Sequence, residues 1–288
     1  MNKTPGIAAA SPNAPGLRGI KFSLDWITRP LFGAVLAGSV TAAIFAGSVY
    51  LAVFVAVAAL FATREWQRMV GGGAAESVVT VAAIALALVS LTFWPHGLFA
   101  WSILGVGALV VLAVASVRGR NPLWQAAGTL YIGVPALALV ALRSLPLHGA
   151  WLIIGMFIVV WTTDTGALFA GNLVGGPKIA PIISPNKTWA GTLGGIGAAA
   201  VAEAVYIGVI GGDIALALLF GAGLALTAHA GDFFESWVKR RFHFKDSGAL
   251  IPGHGGVLDR IDSTLAAATA LAILVFALGL DPLFGAQP

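Results

Sequence analysis

The sequence predicts an all-α, polytopic integral membrane protein with about nine transmembrane helices. Hydrophobic residues make up 58% of the 288 positions, and the mean hydropathy is +0.92. Asp, Glu, Lys and Arg together account for only 10% of the chain, against roughly 25% in an ordinary soluble domain. The apolar residues form runs of roughly 20, the length that a helix needs to cross a bilayer. This composition excludes a soluble globular enzyme and a disordered chain.

Nine apolar runs are predicted as membrane spans, and the first two are separated because of their combined length. Residues 30–63 carry no charge and are too many for one span, so we divide them near Gly47; a single long tilted helix would leave eight spans. The predicted spans are 30–46, 47–63, 77–94, 98–117, 123–142, 150–170, 189–211, 214–232 and 262–280. The chain is thus organised as a polar tail (1–29), an N-terminal transmembrane region (30–149) and a C-terminal transmembrane catalytic region (150–288).

Lys and Arg are distributed unequally between the two sets of loops. With nine spans, fifteen of the 16 basic residues lie on one side and only Arg143 lies on the other. Because basic loops remain cytoplasmic, we expect a cell (inner) membrane protein whose N-terminus is cytoplasmic. The two long polar loops, 171–188 and 233–261, then face the cytoplasm. The net charge of +4 follows from this asymmetry and does not indicate nucleic-acid binding.

Acidic residues are the main candidates for chemistry, because a charge inside the bilayer costs several kcal/mol and is usually functional. Asp164 and Asp232 lie towards the predicted cytoplasmic ends of spans, next to the two long loops. Glu203 lies within a span, and two alternatives stay open for it: pairing with a neighbouring helix, or a position close to one membrane face. The acids expected to be solvated or interfacial, because they lie in tails, loops or span ends, are Asp25, Glu65, Glu76, Asp213 and Asp281.

The loop 233–261 interleaves acids and bases. Its four most closely spaced bases, within residues 239–245, would alone fit a positive anchor at the membrane face, but Asp246, Asp259 and the adjacent Asp232 and Asp262 would weaken such an anchor. Carboxylates hold hard cations such as Mg²⁺, these cations bind phosphate oxygens, and Lys or Arg takes the remaining negative charge. The loop therefore predicts a polyphosphate site with Mg²⁺ as cofactor, and a second cation stays an open alternative.

A second polar segment precedes the seventh predicted span. Ser184, Asn186 and Thr188 offer hydroxyl and amide groups on either side of Lys187. Such a segment just before a helix can bind phosphate through side chains and backbone amides together. It does not match a Walker P-loop, so we predict a substrate-binding role of another kind.

The run from Ser236 to Asp262 resembles the signature of the CDP-diacylglycerol synthases (phosphatidate cytidylyltransferases). The positions that carry the resemblance are Ser236, Lys239, Arg240, Lys245, Asp246, Gly248, Pro252, His254, Gly255, Gly256, Asp259, Arg260 and Asp262. The segments 184–189 and 164–167 resemble two further parts of that family, and Glu65-Trp66 and 128–131 resemble it more loosely. The similarity is specific over about residues 160–263. At Ala190 the sequence departs from the Glu that many members carry.

The resemblance implies that CTP and phosphatidic acid react to give CDP-diacylglycerol and pyrophosphate, at a site in the membrane, and it suggests a homodimer. The predicted metal ligands are Asp232, Asp259 and Asp164. The predicted catalytic residues are Lys239, Arg240, Lys245, Asp246, His254, Arg260 and Asp262, and the predicted substrate-binding residues are Ser184, Asn186, Lys187 and Thr188. The alternatives are a related lipid cytidylyltransferase, a polyprenol kinase, and a cation transporter with Asp164, Glu203 and Asp232 along its path.

Overall fold

The computed structural model describes residues 25–94, 97–146, 148–248 and 255–281, with the backbone alone for 25–32. Within these ranges the regular structure is almost entirely helical. The helices are α1 (Asp25–Ala46), α2 (Ser48–Met69), α3 (Ala74–Phe93), α4 (Gly97–Val117), α5 (Pro122–Arg143), α6 (Gly149–Val174), α7 (Trp189–Val209), α8 (Ile214–Arg241) and α9 (Leu258–Ala272), the last continued by a π-helical turn, Ile273–Ala277. A two-stranded antiparallel hairpin, β1 (Lys178–Ala180) and β2 (Ser184–Thr188), lies between α6 and α7.

The predicted class, an all-α polytopic membrane protein, is confirmed. Eight helices, α2 to α8 and α9 with its π-helical turn, are long and apolar enough to cross a membrane, and a shorter apolar stretch, Gly33–Ala46, lies in α1. The predicted division of residues 30–63 is also correct. Gly47 separates α1 from α2 with a φ of 124°, a backbone conformation that glycine adopts readily and other residues rarely do.

Three helices extend by four or more residues beyond the predicted C-terminal ends of their spans, and these extensions carry polar residues. Helix α2 continues to Met69, so Glu65 lies on a helix. Helix α8 continues to Arg241, so the first part of the predicted loop 233–261 is helical, and α6 continues to Val174 in the predicted loop 171–188. The 28 residues of α8 give a length of about 42 Å, whereas the bilayer core is about 30 Å thick. Hydropathy marks only the part of a helix that needs an apolar environment, so these predicted boundaries were wrong.

Helix α9 joins the two halves of the bundle, because it packs against α5 on one side and α8 on the other and also contacts α2 and α6. Beside it, α2 and α5 are fixed by Trp66. The ring of Trp66 is fully buried, and its Nε1 donates a hydrogen bond to the Trp124 carbonyl at 2.9 Å. A Cβ atom at Gly128 would lie 2.2 Å from this ring. Trp66 and Gly128, which lie in the two segments of looser family resemblance, thus hold α2 against α5.

Candidate functional site

The candidate site lies at one end of the helix bundle. The alternating direction of the helices brings the last turns of α2, α6 and α8 to the same end as the first turns of α7 and α9. Contacts between distant parts of the chain follow: Lys187, just before α7, pairs with Asp232 of α8, and Lys239 of α8 pairs with Asp259 of α9. Charged residues in or beside the two predicted polar loops, Lys187, Asp232, Lys239 and Asp259, thus meet at this end of the bundle.

Asp259 is held in one orientation by donors from three segments. Lys239 Nζ donates to its Oδ1 at 2.6 Å, and the backbone N–H of Gly256 donates to its Oδ2 at 2.8 Å. The backbone N–H of Ser247 lies 3.2 and 3.0 Å from the two oxygens. Lys239 also pairs with the buried Glu235 one turn earlier on α8. Hydrogen bonds to a carboxylate of this kind stabilise its charged form, so Asp259 presents a fixed anionic group to the site.

A second charged pair lies beside the first. Lys187 donates to Asp232 Oδ2 and stands 4.3 Å above the ring of Phe233, while Ser236 Oγ donates to Asp232 Oδ1 at 3.3 Å. Asp164 of α6 lies within electrostatic range of Asp232 and Lys187. The buried Asp262 is likewise within electrostatic range of Asp232 and Asp164. Three of the predicted acids, Asp164, Asp232 and Asp262, therefore lie together near Lys187.

The donor set fits a hard divalent cation in its chemistry. Asp164, Asp232 and Asp262 place carboxylate oxygens in one region, and like charges gathered in this way are stabilised by a cation. Within residues 25–94, 97–146, 148–248 and 255–281, no group of three or more His, Asp or Glu side chains is arranged to hold a metal ion by itself. Mg²⁺ seldom uses such a cage, since it keeps several waters and binds through one or two carboxylates together with substrate phosphates.

The other predicted catalytic residues that the structure describes lie on or next to the segments that form this cluster. Arg240 is in the last turn of α8, where it donates to the carbonyls of Ile183 and Phe244 at 3.4 and 3.2 Å. Lys245 and Asp246 are exposed in the segment after α8, and Arg260 is exposed in the first turn of α9. His254 lies outside the described residues.

Of the four predicted substrate-binding residues, Lys187 is the one that reaches the acid cluster. Ser184 and Asn186 precede Lys187 in β2. Ser184 pairs with Ala180 of β1, and the Asn186 carbonyl accepts from Lys178 Nζ at 3.3 Å. Thr188 is buried, and its hydroxyl caps α7 by accepting from the Gly191 N–H at 3.1 Å. This hydroxyl is therefore already used in ordering the start of α7.

Two acids that were expected to be solvated or interfacial are buried, so that prediction was wrong. Glu76 is fully buried, and its Oε2 accepts from Arg120 at 3.0 Å and from the Gly73 N–H at 3.1 Å. Glu65 is 7% exposed and belongs to the site, where it accepts from three groups of the segment that carries Asp259. Its position at the end of an apolar run suggested an interfacial residue. The loose resemblance of Glu65-Trp66 was the one signal that could have indicated more.

Glu203 lies away from this cluster, between three helices. It is buried on α7, and Cβ atoms added at Gly155 of α6 and Gly221 of α8 would lie 2.8 Å from its Oε1 and 2.9 Å from its Cβ. Among the described residues its Oε2 has no hydrogen-bond partner. The side chain is therefore enclosed by neighbouring helices.

An apolar cavity opens next to the charged cluster. Its volume is about 560 Å³, and it lies between α1, α2, α5, α6 and α9. Phe54, Leu139, Phe157 and Trp161 are among its lining residues. Arg260 is the one charged residue among the described residues that line it, and Arg260 is also within electrostatic range of Asp164 in the cluster. The cavity and the charged site thus share a boundary.

Fold and site together define a polytopic membrane protein with a charged, phosphate-compatible cluster at one end of its bundle, next to an apolar cavity. A family comparison gives the class a name. Residues 27–278 match the model of the cytidylyltransferase family, and because this match covers most of the chain, the protein belongs to that family.

Proteins with similar sequences carry names that match this family. The chain is 45% identical over 170 residues to the phosphatidate cytidylyltransferase of Brucella suis biovar 1 (strain 1330), a match that covers 57% of this chain and 61% of the relative. It is 38% identical over 187 residues to the protein of that name from Haemophilus influenzae, which covers 60% and 65% of the two chains. For the Staphylococcus saprophyticus protein the identity is 37% over 188 residues, covering 63% and 71%. The match thus spans about three fifths of the Brucella relative's length.

Proposed function

We propose that this protein is a phosphatidate cytidylyltransferase, which transfers CMP from CTP to phosphatidic acid and releases CDP-diacylglycerol and pyrophosphate. The observation that carries the proposal is the shared boundary between the charged cluster and the apolar cavity at Arg260. One substrate of this reaction is a lipid and the other is a water-soluble polyanion. A site that serves both needs an apolar space and a phosphate-binding surface in contact with each other.

The reaction is a displacement at the α-phosphorus of CTP. A phosphate oxygen of phosphatidic acid forms the new P–O bond while the bond to the pyrophosphate leaving group breaks. The second pKa of a phosphate monoester is about 6, so this oxygen is largely ionised at neutral pH and needs no strong general base. The main difficulty is the repulsion between two anions, and fixed positive groups lower it.

The residues of the cluster have distinct roles in this proposal. Lys239, Lys245 and Arg260 bind phosphate oxygens and stabilise the charge that develops in the transition state. Arg240 joins them from the hairpin side of the site, and Lys187 with the adjoining β2 residues contacts the nucleotide or the lipid phosphate. Asp246 and Asp262 are further metal ligands or hold the metal ligands in place. His254 orients a phosphate or a metal ligand.

Mg²⁺ is part of the proposal, with its one or two protein ligands drawn from Asp232, Asp259 and Asp164 and a second cation as an open extension. When bound, the ion supplies positive charge to the phosphate oxygens of the nucleotide. The carboxylates in turn keep their orientation through Lys187, Lys239 and the backbone N–H groups that contact them.

The proposal also includes the location of the site and the assembly of the protein. The excess of Lys and Arg in one set of loops supports a cytoplasmic site and a cytoplasmic N-terminus in the cell (inner) membrane. A cytoplasmic site gives direct access to CTP. Homodimerisation, which the family resemblance suggests, is a further part of the proposal, and the mass of the protein–detergent complex tests it.

A labelling experiment tests the reaction and separates it from the alternatives. Purified protein is incubated with phosphatidic acid, Mg²⁺ and CTP that is labelled either at the α- or at the γ-phosphorus. Cytidylyl transfer labels the lipid from α-labelled CTP and releases the γ-label as pyrophosphate. A polyprenol kinase would label its lipid, a polyprenol, from γ-labelled CTP, so polyprenol replaces phosphatidic acid in a parallel reaction.

Two controls complete the labelling experiment. Removal of Mg²⁺ with a chelator should abolish the labelled lipid. Replacing phosphatidic acid by archaeal-type ether phosphatidate tests for a related lipid cytidylyltransferase. Ion flux into liposomes with no labelled lipid in any reaction would instead support a cation transporter and overturn the proposal.

A further inference from the structure

Glu65 connects α2 to the segment that precedes and begins α9. Its carboxylate accepts from the backbone N–H of Val257 at 2.9 Å and from that of Leu258 at 2.8 Å. These N–H groups belong to the start of α9, where a helix has unpaired donors and a partial positive charge. Glu65 therefore caps α9 from a different helix, and its negative charge lies where the helix dipole favours it.

The same carboxylate also contacts Ser247, which precedes residues 249–254 in the sequence; those six residues lie outside the described part of the chain. Ser247 Oγ donates to Glu65 Oε2 at 3.1 Å. Ser247 in turn contacts Asp259 twice: its N–H donates to the carboxylate, and its Oγ accepts from the Asp259 N–H at 3.3 Å. A continuous set of hydrogen bonds thus runs from Glu65 through Ser247 to Asp259.

The packing around Glu65 admits no additional atom. A Cβ atom at Gly248 would lie 2.3 Å from Glu65 Oε1. One at Gly256 would lie 2.2 Å from Ser247 Oγ and 2.5 Å from Glu65 Oε2. The glycines at both positions let the backbone approach the carboxylate directly. Gly248 and Gly256 are therefore packed against the Glu65 side chain, and their position depends on it.

We propose that Glu65 is a positioning residue for the candidate active site. It acts through Ser247 and the first turn of α9 to fix the orientation of Asp259, and it does not contact the substrates. The proposal rests on the proposed cytidylyltransferase activity for its kinetic consequence. Its structural consequence, the fixed position of Ser247 and of residues 256–258, is measurable without any turnover.

Hydrogen–deuterium exchange on the full-length protein in detergent tests the structural consequence. In Glu65→Gln the amide nitrogen of Gln cannot accept a hydrogen bond, so at least one of the three donors loses its partner. Peptides covering residues 245–260 should exchange faster than in the wild type. The matched control is Glu76→Gln, which alters another buried carboxylate that accepts a backbone N–H and an arginine but does not contact this segment; its exchange in 245–260 should not change.

Kinetics of the same variants test the functional consequence. A displacement of reacting groups by 1 Å can lower a rate by about 10²-fold, so kcat of Glu65→Gln should fall by that order, with a smaller change in KM for CTP. Glu76→Gln should keep the wild-type kcat. Ser247→Ala, which removes one link while leaving the two backbone contacts of Glu65, should lower kcat in the same direction and serves if Glu65→Gln does not fold.

The outcomes separate the two proposals. Wild-type kcat in Glu65→Gln or Ser247→Ala overturns the positioning role. Faster exchange throughout the bundle in Glu65→Gln, with a lower melting temperature and no specific effect on 245–260, also overturns it, because Glu65 would then only support the fold. If the wild type shows no cytidylyl transfer, the proposed function fails, and the exchange in 245–260 still decides whether Glu65 holds this segment.

Discussion

Replacing Asp259 with Asn tests the geometry at the centre of the candidate site. Each carboxylate oxygen accepts from two donors: Lys239 and Ser247 at Oδ1, and Ser247 and Gly256 at Oδ2. The Asn side chain has one oxygen and one NH₂ group, so either Lys239 or Gly256 loses its acceptor, while the Ser247 N–H, which is shared between both oxygens, keeps one contact. A hydrogen bond to a charged group contributes about 1.5–3 kcal/mol, so the aligned arrangement loses about that much. Turnover should therefore fall by about 10- to 10²-fold.

The assay is Mg²⁺-dependent formation of labelled CDP-lipid by purified Asp259→Asn protein, compared with the wild type at equal amounts of folded protein. Asp213→Asn is the matched control. Asp213 also accepts two backbone N–H groups, those of Ala215 and Leu216, at the start of α8. Asn caps a helix as well as Asp does, so this variant should keep full turnover. Near-normal turnover in Asp259→Asn would refute the reasoning.

Three further substitutions have distinct expected outcomes. Gly256→Ala should abolish turnover while the protein still inserts and binds detergent normally, because its Cβ would lie 2.2 Å from Ser247 Oγ; wild-type turnover would contradict the close packing. Lys187→Met should raise KM for one of the two phosphate substrates by roughly 10- to 100-fold, through loss of a charge-assisted hydrogen bond, and steady-state kinetics with each substrate varied would measure it. Gly128→Ala should destabilise the fold by about 1–3 kcal/mol through overpacking against Trp66, seen as a lower melting temperature; an unchanged melting temperature would count against this packing.

The fold could be predicted from sequence because the bilayer leaves few alternatives. A chain with so few charges and repeated runs of about 20 apolar residues has to form spanning helices. Even the break at Gly47 followed from the length limit alone. The ends of α2 and α8 could not be obtained in this way, because a helix continues into water for as long as its own hydrogen bonds and neighbours stabilise it. The hairpin at 178–188 was missed because its strands are short and polar.

The site was predictable where charges are close in sequence and unpredictable where they meet through folding. Asp232 and Asp259 were selected because acids and bases mixed at a membrane face are costly without a function, and Lys187 because it stands among hydroxyl and amide groups just before a helix. Glu65 was not, since nothing in its own segment indicates that its partners lie at residues 247–258. A buried carboxylate needs donors, and in this protein a helix at the far end of the chain supplies them.

The contacts of Glu65 have a consequence for the order in which the protein is assembled. Its donors are separated from it by 182 to 193 residues, so a ribosome adds a long stretch of chain after Glu65 before any of them exists. Until α9 enters the membrane, α2 carries an acid whose final partners have not been synthesised. Completion of the charged cluster thus has to wait for the synthesis of α9, and a chain that stops before Val257 would lack the backbone donors that enclose the carboxylate.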